Sequence, residues 1–188
     1  LVTKFYIEEL AGIPCEVDYA SEFRYRRPVF DNGTMVIAVT QSGETADTLA
    51  AVEMVRKTSR TLAICNVLGS SITRKVDDLL FSRAGPEISV ASTKAFTTQL
   101  VSAYLLAIHL GALRGRLDNG RIAELVEPLI NLPSGIDGAL HSDGAVLRLA
   151  RKFHRASDFL FLGRGLCYPI ALEGALKLKE ISYIHEKR

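Results

Sequence analysis

Hydroxyl side chains crowd one short stretch of this 188-residue chain, Thr40-Gln41-Ser42-Gly43-Glu44-Thr45-Ala46-Asp47-Thr48. It follows the unbroken apolar run Met35–Val39 and leads into a helical pattern from Thr45 to Arg56. A strand turning into a helix in this way aims the unbonded N–H groups of the first helical turn at the loop. Gly43 lets the backbone approach a ligand closely, and Thr40, Ser42, Thr45 and Thr48 add hydroxyls, so the parts suit a phosphate. The plainer reading is helix capping, but one cap needs one hydroxyl and four are present. The spacing lacks the Gly-Lys-Ser/Thr of a nucleoside-triphosphate loop and is no dinucleotide fingerprint, which favours a monophosphate.

A second such place is Gly85-Pro86-Glu87-Ile88-Ser89-Val90-Ala91-Ser92-Thr93-Lys94, between an apolar run ending near Phe81 and a long helical pattern. Ser89, Ser92 and Thr93 again stand near a helix start, and Lys94 adds a cation. A capped helix with a solvated lysine is the alternative. Two hydroxyl-rich loops from one parallel sheet open onto the same edge, where such sheets bind ligands.

Glu173, Lys177 and Glu180 follow i, i+4, i+7 spacing and share one helical stripe. Ile170, Ala171, Leu172, Ala175, Leu176, Leu178 and Ile181 surround it. So broad an apolar surface places the charged stripe at a cleft or interface, where an ammonium can tune a carboxylate for proton transfer. An ordinary surface salt bridge is the competing account. His109, His141, His154 and His185 form no pairing that suggests a triad or metal site. The run Arg24-Tyr25-Arg26-Arg27 reads as solvated loop.

The elements that must carry these groups alternate. A helix over Leu1–Leu10 stops at Gly12 and Pro14, and Cys15–Ala20 alternates like a strand. Met35–Val39, Thr61–Val67 and Asp78–Ser82 read as strands buried on both faces. Helices are expected over Thr45–Arg56, Thr93–Leu113 and Asn119–Arg155, the last interrupted at Leu132–Gly135. A strand at Phe159 and a helix over Pro169–His185 restart the pattern. The fold class is α/β with a doubly wound, mainly parallel sheet. The expected division is 1–130 as a first unit, 131–157 as a helical connection and 158–188 as the beginning of a second unit.

Composition bounds the partners. With 23 Lys+Arg against 21 Asp+Glu the net charge is +2, too small and too dispersed to argue for nucleic acid. The apolar stretch Leu100–Leu113 reads as too short and too interrupted to span a membrane. Cys15, Cys65 and Cys167 fit neither a disulfide framework nor a metal site, so a reducing cytoplasm is expected and no metal.

The hydroxyl loops, together with Phe161-Leu162-Gly163-Arg164-Gly165 and Ala171–His185, resemble the sugar isomerase (SIS) half of the glutamine–fructose-6-phosphate aminotransferase family. Leu10–Cys15, Ala20–Arg26 and Leu62–Val67 resemble it too. The resemblance implies tandem SIS units, each a three-layer α/β sandwich, in a homodimer that needs no organic cofactor. By position, Thr40, Gln41, Ser42 and Thr45 would hold the phosphate of fructose 6-phosphate, with Val90 and Ser92 lining the same site. The family has serine where Thr40 stands. Glu180 would be the catalytic carboxylate that moves a proton between adjacent sugar carbons, with Lys177 beside it, giving glucosamine 6-phosphate with ammonia from glutamine. A glutaminase domain would supply that ammonia and is absent from these residues. The first strand, with its Cys-Gly-Thr-Ser loop, is expected before Leu1, and the ring-opening histidine and imine-forming lysine beyond Arg188. The 188 residues alone are therefore expected to keep part of the phosphate grip with little turnover. A non-enzymatic sugar-phosphate sensor and a stand-alone aldose–ketose isomerase are the alternatives.

Overall fold

The computed structural model describes residues 1–26, 28–29, 31 and 33–182, and the backbone of His185–Lys187. Helix α1 (Val2–Tyr6) runs on as a π-helix, Ile7–Ala11, and ends at Gly12, whose left-handed φ of 62° closes the helix. After the short α2 (Ala20–Phe23), three strands and two helices alternate: β1 (Met35–Thr40), α3 (Ala46–Val55), β2 (Arg60–Cys65), β3 (Asp78–Phe81) and α4 (Lys94–Leu113). A 3-10 turn, Ser71–Arg74, lies between β2 and β3. The strands form one parallel sheet in the order β1-β2-β3, with Val36 beside Thr61 and Ala63 beside Leu79.

Alternate β2 side chains enter two different cores, which is why its sequence is apolar from Leu62 to Cys65. Ala63 and Cys65 pack with Ala38 and Ile72 under Val52 of α3. Ile64, on the other face, meets Ala103 and Leu106 of α4. Farther along α4, Ala107 and Ile108 hold Ile7, Leu10 and Ala11 of the N-terminal helix. Gly111 permits this approach, since a Cβ there would stand 2.6 Å from the Leu10 carbonyl oxygen. The resulting α/β arrangement, helices on both faces of a parallel sheet, is the fold class expected.

Four local expectations are corrected. Cys15–Ala20 is not a strand: the Cys15 N–H donates to Glu8 Oε1 and the Tyr19 N–H to Asp18 Oδ1, and Val17 and Tyr19 stand exposed. Alternation without a neighbouring ladder makes no strand. The helix after α4 is not broken at Leu132–Gly135: α5 (Asn119–Leu140) passes through Pro128 and Pro133, and α6 (Asp143–Phe153) follows. No α5 side chain is buried, so water can satisfy the carbonyls that proline leaves unbonded. The helix α7 (Cys167–Ser182) stops short of His185, whose backbone instead opens β5 (His185–Lys187), parallel to β4 (Asp158–Leu160) in a separate two-stranded sheet. Lastly, α4 is long and apolar enough to cross a membrane by length and composition. One side of it is buried against β2 and the N-terminal helix, as in a core helix.

Candidate functional site

At the carboxyl end of the sheet, the loops after β1, β2 and β3 leave side by side. Thr40 is the last residue of β1 and is buried, and its hydroxyl accepts the Gly43 N–H at 3.1 Å. The Ser42 hydroxyl accepts the Glu44 N–H at 3.2 Å. These bonds curl the loop back so that it enters α3 at Thr45. Gly43 has a φ of 69°, and a Cβ there would collide with Ser70 Oγ and stand 2.8 Å from Ser70 Cβ. Only glycine fits this corner. Glu44 turns away to accept the Ser71 N–H at 2.7 Å.

Among the described residues no side chain caps α3; Thr45, at its N-cap position, makes no capping bond. The capping account of the hydroxyls therefore fails here, and the first-turn N–H groups face the loop without a side-chain acceptor. Asp47, the acidic residue in that turn, is paired with Arg24 at 2.6 Å. Arg24 is thus not simply solvated loop, since it ties α2 to the start of α3.

The loop after β3 is built differently. Glu87 accepts the backbone N–H groups of Thr93 and Ala95, each at 3.1 Å, and that of Ser89 at 3.4 Å. These donors, Ala95 first, hold its carboxyl below the usual carboxylate range. Val90 is 99 % exposed and Ser92 is half-buried in this loop.

On α7, Lys177 lies between Glu173 (3.1 Å) and Glu180 (3.2 Å). Partial burial pulls the ammonium's proton affinity down, but the bonds to both carboxylates prevail and raise it above the ordinary lysine value. The stripe expected from spacing is thus a real ion triplet. Among the described residues no hydrogen bond or ion pair joins it to the β1–α3 or β3–α4 loops. Among them there is also no cluster of three or more His, Cys, Asp or Glu side chains that could hold a metal.

Sequence reasoning missed two residues that shape these loops. Glu87 lay within the second stretch without a role, and Asn66 stands at the end of β2 bonding to both neighbouring loops. A lone polar residue closing an apolar strand run was the available signal.

Known proteins with this architecture share its sequence. Glutamine–fructose-6-phosphate aminotransferase [isomerizing] of Clostridium tetani is 53 % identical over all of this chain, which covers 31 % of that protein. The protein of the same name from Gloeobacter violaceus is 55 % identical, with 98 % of this chain and 31 % of that protein covered. The chain thus spans about a third of the length of these curated relatives. Among solved structures, the C-terminal domain of glucosamine-fructose-6-phosphate aminotransferase from Francisella tularensis superposes with a TM-score of 0.96 at 45 % identity, covering 99 % of this chain and 53 % of that one. A phosphosugar isomerase structure from Silicibacter pomeroyi follows at 0.79 and 28 %, covering 98 % of this chain and 54 % of that one. The family profile described as SIS domain matches residues 1–109, more than half of the sequence, and the chain belongs to the SIS domain family.

Proposed function

We propose that this chain is the fructose 6-phosphate-holding part of a glutamine–fructose-6-phosphate aminotransferase. The observation that carries the reading is the start of α3: a helix N-terminus uncapped by any side chain among the described residues, entered through Thr40, Gln41, Ser42 and Thr45 around a glycine corner. N–H groups and a partial positive charge there fit a phosphate. Val90 and Ser92, on the next loop but one, take the uncharged part of the sugar.

Glu180 serves as the base that removes a proton from one sugar carbon and returns it to its neighbour. Lys177 stays protonated across the neutral range and holds that carboxylate in place. The phosphate grip, remote from the reacting carbons, orients the sugar and performs no bond chemistry. Residues 1–130 form the first SIS unit, 131–157 a connection and 158–188 the opening of a second, which brings α7 to the site in the whole protein. That protein is a cytoplasmic homodimer in which a glutaminase domain supplies ammonia.

The test is Glu180→Gln in the intact protein. Glucosamine 6-phosphate formation should fall by roughly 10²–10⁴-fold while fructose 6-phosphate binding, read by calorimetry, is retained. Undiminished turnover would remove Glu180 from the chemistry and favour a sensor.

A further inference from the structure

Asn66 makes four hydrogen bonds at the point where the three loops part. Its backbone N–H donates to the Gln41 carbonyl at 3.2 Å, in the β1–α3 loop. Its side-chain Nδ2 donates to the Gly85 carbonyl at 2.8 Å. Its Oδ1 accepts the Ala84 N–H at 2.8 Å and the Ser82 hydroxyl at 3.3 Å, all in the β3–α4 loop. Swapping the amide's oxygen and nitrogen would set donor against donor and acceptor against acceptor, so the orientation is fixed.

The segment that Asn66 seizes needs such a hold. Arg83, next to Ala84, has a φ of 56°, and it is the one non-glycine among the described residues in the left-handed region. Gly85 follows at 70° with open space around it. Two left-handed residues, with only Ala84 between them, redirect the chain out of β3, and among the described residues none of the three belongs to a buried apolar cluster. The Asn66 amide is what fixes their direction, and with it the path toward Val90 and Ser92.

We propose that Asn66 is a positioning residue that locks the β3–α4 loop to the β1–α3 loop, so that the sugar body and its phosphate are held at a set separation. The inference rests on the sugar-phosphate reading given above. It predicts a split that a merely structural role would not produce: inorganic phosphate needs only the first loop, whereas fructose 6-phosphate needs both.

In Asn66→Asp a carboxylate oxygen faces the Gly85 carbonyl and that bond is replaced by a repulsion, while the bonds accepted from Ala84 and Ser82 and the backbone bond to Gln41 remain. Measured by calorimetry on the intact protein, the dissociation constant for fructose 6-phosphate should rise about tenfold, the weight of one or two hydrogen bonds, and that for inorganic phosphate should stay within about twofold. Asn66→Ser, too short to reach Gly85 and without added charge, should show the same split and serves if the aspartate variant fails to fold. Equal weakening of both ligands, or of neither, would overturn the proposal. A wild-type protein that binds neither ligand would overturn the sugar-phosphate reading with it, whereas wild-type binding without the split overturns the coupling alone.

Discussion

The starts of α3 and α4 look alike in sequence and differ in electrostatics. Each follows a parallel strand at the same sheet edge and is preceded by serines and threonines. At α3 the Thr40 and Ser42 hydroxyls bond to N–H groups of their own loop, and no side chain among the described residues caps the helix. At α4 the Glu87 carboxylate sits on the Thr93 and Ala95 N–H groups and meets the helix's partial positive charge. The first helix start thus leaves its N–H groups to an outside anion, its own Asp47 being paired with Arg24, whereas at the second a carboxylate is already bonded to the N–H groups. In the proposed function the phosphate is therefore held at the first, and the second loop contacts neutral hydroxyls.

The largest break in that contrast should come from Gly43→Ala. The new Cβ would press on Ser70 and Ile72 at a left-handed φ, shifting the loop that aims at the phosphate. Inorganic phosphate and fructose 6-phosphate should both lose affinity, by roughly a hundredfold in calorimetry, since the loop's several charge-assisted bonds go together.

Glu87→Gln should act more gently and on one ligand only. Removing the charge loosens the loop that carries Val90 and Ser92, so fructose 6-phosphate binding should weaken by about threefold with inorganic phosphate unaffected. The same residue sets a pH dependence. Its carboxyl titrates below the ordinary value in the folded protein, so its support of the α4 start is complete above about pH 4.3 and fades as the pH falls through the depressed value. Amide exchange at Thr93 and Ala95 should therefore quicken in acid in the wild type, and show no such step in the glutamine variant.

What could be read in advance follows from how local each signal was. β2 announces itself because both faces are covered, β1 and β3 because their apolar runs match it although Val39 and Leu79 stand exposed, and the Glu173–Lys177–Glu180 triplet because helical spacing alone brings it together. Cys15–Ala20 misled because a period of two says nothing about whether a partner strand exists. Pro133 misled because water can bond the carbonyl that proline leaves free on an exposed helix, and α5 continues through it. Glu87 and Asn66 were silent for a different reason: their partners are backbone groups of turns whose shape no side-chain pattern encodes.

A crystal structure of the intact protein with fructose 6-phosphate bound tests the central contrast most directly. The phosphate oxygens should lie within hydrogen-bond distance of the backbone N–H groups at the start of α3, Thr45 to Asp47, with Glu87 still on Thr93 and Ala95. A phosphate seated on the Thr93 and Ala95 amides, with Glu87 displaced, would contradict the account.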